Sequence, residues 1–245
     1  DCLSKESFLK EWDPMWQDKR SQELEILDHG PSAYTLQEYN QCLKYLCRIN
    51  HLLGGFYASK RAFAQLKDPF HSVLEIGCGG GYFCHMLHRW FPHAKIVGVD
   101  LSEEAISHSL QNLSKAEEKF VSFEIQKNKT LEYPDNRFDV VTTMLVCHHM
   151  SDEELVVFLK ESVRICKKAV IINDLQRHFL AYMSFSIIAP ILFFNRLIWH
   201  DGRLSIKRAL RKKEWMLLLE KAGYKKEDYT LKWNWAFRWT LTIRK

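Results

Sequence analysis

The pattern of apolar and polar positions changes near residue 68. Before this point apolar residues recur at helical spacing, as Tyr39, Leu43 and Leu46 do. This spacing predicts helices, interrupted where Gly54-Gly55 breaks the apolar stripe. Strand-like patterns are absent there. We therefore expect residues 1–68 to form an N-terminal helical cap.

After residue 68, short apolar runs alternate with helical stretches. Seven runs are predicted to be strands: 73–76, 95–100, 121–125, 138–143, 169–173, 229–231 and 237–243. Strands that alternate with helices at this spacing pair in parallel through right-handed crossovers. Residues 69–245 are therefore predicted to form an α/β domain with a doubly wound, mostly parallel seven-stranded sheet.

The segment from Phe179 to Asn195 carries no charge and contains Pro190. It is short for a membrane span, and proline breaks helices. We expect an apolar helical lid, inserted after the fifth strand at about 177–213. The alternative is that these residues seal the core between the cap and the sheet.

Charge is concentrated in the same region. The whole chain carries +5, yet the stretch from Arg177 to Lys213 has eight Lys or Arg and one acid, Asp201, which gives +7. Such a face suits an anionic membrane surface, a nucleic acid or an anionic substrate, although a solvated helix face explains it equally well.

The composition fits a globular protein of a reducing compartment. Hydrophobic residues make up 47% and charged residues 27% of the 245, and the seven cysteines contain no CxxC pair. We expect a cytoplasmic protein, with peripheral membrane contact through the basic stretch as an open alternative. The chain begins with Asp1 rather than Met, which is consistent with missing upstream residues or a removed targeting signal. The oligomeric state is not indicated.

A glycine-rich segment, Glu75-Ile76-Gly77-Cys78-Gly79-Gly80-Gly81, joins the first strand to a helix. Glycines at such a turn let the backbone approach a ligand closely. The dinucleotide pattern GxGxxG requires glycine at position 82, where the chain has Tyr82. An acid at position 75 is badly placed for a pyrophosphate but suits a ligand with an ammonium and a sulfonium group.

This ExGxGxG pattern resembles the motif of class I methyltransferases that binds S-adenosyl-L-methionine (SAM). Asp100 and Phe138-Asp139-Val140-Val141 are similar to two further motifs of that family, in the same order and spacing. The resemblance implies a Rossmann-like methyltransferase fold with SAM as cofactor. It also implies that Glu75, Gly77, Cys78, Gly79 and Gly81 line the methionine half of SAM, Asp100 the ribose and Leu101 the adenine, with Met144 and Leu145 nearby.

One position departs from the family pattern. The third strand of these enzymes is usually followed by an acid that accepts from the adenine amino group, and that position falls on Lys127. Lysine has no acceptor, so adenine recognition would rest on backbone atoms or on Asn128. The departure also motivates one alternative, a non-catalytic protein with the SAM-binding fold.

Four candidates for chemistry follow the fourth and fifth strands, at the sheet edge where ligands of such folds bind. His148 and His149 are adjacent, so we expect only one to reach a substrate. The family often has histidine at position 149, which makes His149 the favoured base or orienting group; the alternative is a bond to the following helix. Asp174 is a second proton acceptor, and Arg177 binds an anionic group or pairs with Asp174.

A zinc site is not expected. Cys84, His85 and His88 lie near one helical face close to Cys78, but all four belong to the glycine loop and its helix. A closed zinc site would compete with the cofactor for the same backbone. The prediction is therefore a site without metal.

The sequence as a whole is similar to small bacterial methyltransferases of quinone- and polyketide-type pathways, with shared features such as His200-Asp201-Gly202 and Phe237-Arg238-Trp239. We expect methyl transfer from SAM to the oxygen or carbon of a small, lipophilic, phenol- or quinone-like acceptor. The alternative is an RNA or tRNA methyltransferase that uses the basic 196–213 stretch. A nucleic acid is less well supported, because no Asn-Pro-Pro-Tyr-like motif follows the fourth strand.

Overall fold

The computed structural model describes residues 19–128 and 130–245. Seven strands in these residues are β1 (Ser72–Ile76), β2 (Lys95–Asp100), β3 (Val121–Ile125), β4 (Phe138–Met144), β5 (Cys166–Leu175), β6 (Tyr229–Asn234) and β7 (Arg238–Arg244). They form one sheet in the order β3-β2-β1-β4-β5-β7-β6. Strands β1 to β5 pair in parallel, and β7 is antiparallel to both β5 and β6. The predicted doubly wound, mostly parallel sheet is confirmed.

Helices of the described residues flank this sheet. They are α1 (Leu36–Leu52), α2 (Gly55–Phe63), α3 (Tyr82–Trp90), α4 (Glu103–Gln111), α5 (Asp152–Ile165), α6 (Phe179–Leu192), α7 (Arg196–Arg208) and α8 (Lys212–Lys221). Short polar side chains begin several of them. Thr35 and Glu38 form a capping box on α1, and the Ser102 hydroxyl accepts from the Ala105 amide at the start of α4.

The region before β1 is only partly helical. Residues 1–18 of the expected cap lie outside the described residues. From residue 19 to α1 the chain is irregular, with two short 3-10 helices, so the prediction of α-helix was wrong there. Gly54 adopts φ 70°, a left-handed conformation that costs glycine little, and separates α1 from α2 at the predicted break.

The central strands are buried on both faces. Val73 and Leu74 of β1 and Val140 and Val141 of β4 have no exposed surface. Their side chains alternate between two apolar clusters, one formed with α5 and α8 and the other with α2, α3 and α4. This burial explains why the sequence shows continuous apolar runs rather than alternation. It also makes the sheet a rigid platform for the loops at its edge.

The apolar segment after β5 forms α6 and the start of α7. One side of it packs on α1 through Ala189, Phe193 and Leu197. The other side of α6 leaves a row of apolar side chains exposed: Leu180, Met183, Ile187, Ile188, Ile191 and Leu192. Within the described part of the chain, no helix has the length and apolar character needed to cross a membrane.

Candidate cofactor and catalytic site

The glycine loop between β1 and α3 has a backbone conformation that favours glycine. Gly77, Gly79 and Gly81 adopt φ values of 71°, 51° and 75°. A Cβ atom on Gly77 would lie 2.4 Å from the Val146 side chain, and one on Gly81 would lie 2.7 Å from the Phe123 ring. The loop is therefore a close-packed cradle, and its amides at positions 77, 78, 79 and 81 donate to groups within the fold.

Asp100 ties this cradle to the end of β2. Its Oδ2 accepts from the Gly79 amide at 2.8 Å, and its Oδ1 accepts from the Ser102 amide at 3.0 Å. Burial raises the pKa of Asp100, although these amide donors lower it. An ionised carboxylate has about four acceptor positions, so it can accept from ribose hydroxyls as well as from these amides. The loop and Asp100 together fit SAM.

Glu75 lies inside the fold, against α3. Its side chain is 2% exposed, and its Oε2 accepts from the Cys84 thiol at 2.8 Å. Burial raises the pKa of Glu75 to about 8, and the nearby Asp100 contributes in the same direction. In this position Glu75 supports the loop and α3 from within. Its predicted contact with the methionine half of SAM remains a prediction.

The residues expected near the adenine are more open. Leu101 is 52% exposed, and Lys127 and Asn128 are exposed beyond β3. The Asn128 side chain is engaged locally, because its Oδ1 accepts from the Thr130 amide at 2.9 Å and its Nδ2 donates to Glu132. Adenine recognition by Asn128 would require these contacts to change, and it remains a prediction.

The end of β4 adjoins the glycine loop. Leu145, directly after Met144, has φ 62°, a strained value for leucine, and its amide donates to the Asn173 carbonyl at 2.9 Å. The next residue, Val146, contacts Gly77 as described above. A 3-10 helix (Cys147–His149) follows. The two histidines are therefore carried by a segment in contact with the loop.

His148 and Asp174 form a buried pair at the carboxyl edge of the sheet. His148 Nδ1 lies 2.7 Å from Asp174 Oδ1, and the His148 amide donates to Oδ2 at 3.0 Å. Burial alone would raise the pKa of Asp174, but His148 and the backbone amides outweigh it and leave this pKa lowered. Asp174 is thus held as a carboxylate that orients His148.

Arg177 does not pair with Asp174, which corrects one of the two roles expected for it. Its side chain has no exposed surface, so the structure offers no support for a contact with substrate either. Nη2 lies 2.5 Å from Glu214 and Nη1 donates to the Ala209 carbonyl at 2.8 Å. Arg177 is three residues beyond Asp174 along an extended segment, so the two side chains point to opposite faces of that segment. Arg177 joins β5 to α8.

Glu25, which sequence reasoning missed, faces both histidines. It is 3% exposed, and its carboxylate lies 3.7 Å from His148 Nε2 and 3.8 Å from His149 Nε2. Ser205 Oγ donates to it at 2.8 Å. Burial raises the pKa of Glu25 to about 7, opposed by His149. The signal in the sequence was an acid inside the apolar run Leu24–Leu27.

His149 lies at the rim of this cluster. Its side chain is 31% exposed, and its Nδ1 is 3.1 Å from Asp28 Oδ1. Asp28 also binds Arg208 at 2.5 Å. Contacts with His149 and Arg208 bring the pKa of Asp28 well below its usual range, although burial opposes them.

Asp201 accepts hydrogen bonds from the amides of residues 26 and 27 and so fixes the segment that carries Glu25.

The basic stretch is divided among several environments. Arg177 and Arg208 are buried in the contacts described above. Arg196 is paired with Glu38 at 2.8 Å, and Lys207 lies over the Tyr182 ring. Several basic side chains of this stretch are therefore engaged in contacts within the fold.

Comparison with known proteins agrees with this geometry. Residues 73–169 match the family of methyltransferase domains. A ubiquinone biosynthesis O-methyltransferase of Coxiella burnetii is 27% identical over 161 residues, which cover 64% of this chain and 65% of that protein. A phosphoethanolamine N-methyltransferase of Triticum aestivum is 35% identical over 103 residues, or 41% of this chain and 20% of that protein. The chain thus spans only part of the length of these relatives.

Solved structures share the fold. A SAM-dependent methyltransferase from Aquifex aeolicus superposes with a TM-score of 0.61 at 18% identity, over 86% of this chain and 98% of that one. The plantazolicin methyltransferase BpumL, solved with SAH and a triazolic desmethylPZN analogue, superposes with a TM-score of 0.67 at 16% identity, over 89% of this chain and 92% of that one. The glycine cradle, Asp100 and these matches agree: residues 73–169 match a methyltransferase domain, the chain has the fold of SAM-dependent methyltransferases, and its cofactor is SAM.

Proposed function

We propose that this protein transfers the methyl group of SAM to a small, lipophilic, phenol- or quinone-like acceptor. One observation carries the proposal: the segment that contacts the glycine loop through Val146 also carries His148 and His149, two and three residues later. Two imidazoles therefore lie beside the cofactor cradle, where O-methylation needs a group that binds or deprotonates the acceptor hydroxyl.

SAM supplies an electrophilic methyl group on its sulfonium. The protein positions the cofactor. The glycine loop brings the backbone against it, and Asp100 accepts hydrogen bonds from the ribose hydroxyls. The cluster of Glu25, His148 and His149 then faces the acceptor hydroxyl, oriented by Asp174 and Asp28. Methyl transfer needs the acceptor oxygen or carbon in line with the sulfonium.

The surroundings favour a lipophilic acceptor. We propose that two elements cover the acceptor site of the methyltransferase domain (69–245). They are an N-terminal cap (1–68) and an apolar lid (177–213). Helix α1 lies over the cradle, with Leu43 facing Gly79 and Asn40 Oδ1 3.0 Å from His108 Nδ1. The exposed apolar row of α6 suits a lipophilic acceptor or contact with a membrane surface. The Coxiella relative, a ubiquinone biosynthesis enzyme by name, supports the same acceptor class.

Transfer to RNA is the second candidate, and the structure gives it less support. Burial of Arg208 and the pairing of Arg196 with Glu38 engage two of the basic residues in the 196–213 stretch on which it relied. We propose a cytoplasmic protein with peripheral membrane contact.

The test is a labelling assay with SAM that carries a radioactive methyl group. Lipophilic phenols and hydroquinones of graded chain length are compared with mixed RNA, using the wild-type protein and Asp100→Ala. We expect labelled phenol or hydroquinone with the wild type and none with Asp100→Ala. Labelled RNA without labelled phenol would replace the proposal by the second candidate, and no labelled product of either class, despite bound SAM, would favour a non-catalytic protein.

A further inference from the structure

We propose that Glu25, His148 and His149 bind one divalent transition-metal ion of the zinc type. One donor atom from each of the three side chains lies within 4.8 Å of the other two. A metal ion with ligands at about 2.0–2.2 Å places them no more than about 4.4 Å apart. Small rotations of side chains are enough to close the site.

Each imidazole is held so that its Nε2 atom faces Glu25. A carboxylate engages Nδ1 in both cases: Asp174 at 2.7 Å for His148 and Asp28 at 3.1 Å for His149. A carboxylate on Nδ1 keeps the proton there and leaves the lone pair on Nε2, which is the arrangement of histidines that ligate metals. Two adjacent histidines with this orientation toward one buried acid indicate a built site.

Hydrogen bonding does not explain the cluster. The distances from Glu25 to the two Nε2 atoms, 3.7 and 3.8 Å, are too long for hydrogen bonds. The Ser205 hydroxyl donates to Glu25 Oε1, the oxygen that faces His148, and holds the carboxylate in place as a supporting contact to a metal ligand does. The facing nitrogen and oxygen atoms are therefore left for a shared partner between them.

The local charge calls for a cation. Glu25, Asp28 and Asp174 bring three carboxylates to the two imidazoles, and Arg208, bound to Asp28, offsets one of them. These carboxylates make the space between Glu25 and the two imidazoles favourable for a cation. Two nitrogens and one carboxylate favour zinc-type ions over Mg²⁺ and Ca²⁺, which prefer oxygen ligands.

The site is open on one side. Glu25 and His148 are buried, whereas His149 is 31% exposed, so further coordination positions face outward for water or an acceptor oxygen. In this assignment His149 is a metal ligand rather than a proton acceptor. The metal is separate from the cysteine and histidine group considered in the sequence, since Cys84 donates to Glu75 and His85 lies 2.9 Å from Glu117.

The test titrates tag-free, chelator-treated protein with Zn²⁺ by calorimetry, and with Co²⁺ by visible absorption, in the absence of any acceptor. We expect one Zn²⁺ per chain and a Co²⁺ spectrum of nitrogen and oxygen ligands. Glu25→Gln and His149→Gln should bind at least about tenfold more weakly, and Asp28→Asn about 10–100-fold more weakly. The control His85→Gln should bind as the wild type does.

The proposal is overturned if the wild type binds no Zn²⁺, or if Glu25→Gln and His149→Gln bind as tightly as His85→Gln. Circular dichroism and SAM binding show whether each variant is folded, and the partly exposed His149 provides a result even if Glu25→Gln unfolds. Because no acceptor is present, a failure here is distinct from a failure of the proposed methyl transfer.

Discussion

His148 Nδ1 lies 2.7 Å from Asp174 Oδ1, and the two side chains are only 2% and 1% exposed. The pair joins the segment after β4 to the end of β5, at the edge of the sheet beside the cofactor cradle. In so buried a place, loss of one partner leaves the other without compensation. The pair therefore stabilises the fold and fixes the orientation of His148.

Asp174→Asn is expected to destabilise the protein by about 1.5–3 kcal/mol, because a hydrogen bond to a charged group typically contributes this much. Urea unfolding measures the change in the free energy of unfolding. Asp135→Asn is the control: it removes a carboxylate that is 70% exposed and paired with Arg164, so its cost should stay below about 1 kcal/mol. Equal losses in the two variants would show that the buried pair has no special role.

The pH dependence of stability should reveal Glu75. Its pKa rises from 4.5 to about 8 on folding, so the folded state binds the proton more tightly than the unfolded state. Stability from this group is complete below pH 4.5 and is lost as the pH rises toward 8, in total roughly 5 kcal/mol. Glu75→Gln carries no titrating group, so its free energy of unfolding should fall less between pH 5 and 8. Parallel curves for SAM-free wild type and variant would contradict the burial of an uncompensated acid.

Gly77→Ala should lower both stability and SAM affinity. The added methyl group meets Val146 at 2.4 Å and the position has φ 71°, so both a clash and backbone strain result. Gly223→Ala is the matched control, since Gly223 also has a positive φ but nothing lies within 4 Å of the added atom. We expect thermal unfolding to show a clearly larger loss for Gly77→Ala. Similar losses would mean that strain alone, and not contact with the segment after β4, matters.

The sequence predicts those parts of the molecule that depend on local pattern. The strands from β1 to β5 appear as apolar runs because both faces of the sheet are covered, and the glycine loop appears because its backbone admits no side chain at Gly77 or Gly81. The juxtaposition of the segment after β4 with the end of β5 follows from parallel pairing.

Other parts depend on contacts between distant segments, which a single sequence does not specify. Glu25 meets His148 across 123 positions, and Arg177 meets Glu214 rather than its near neighbour Asp174. The irregular chain from residue 19 to α1 is held by Asp201, so its local apolar pattern was misleading. These contacts set the chemistry of the site, and only the folded structure reveals them.

The central claim is that the glycine loop and Asp100 bind SAM, and calorimetry tests it most directly. The wild-type protein should bind one SAM, and Asp100→Ala should bind at least about tenfold more weakly, because hydrogen bonds to a charged group contribute about 1.5–3 kcal/mol each. Glu103→Gln, an exposed acid three residues away, should bind SAM as the wild type does. Absence of SAM binding by the folded wild-type protein, or equal affinity in Asp100→Ala, would contradict the account.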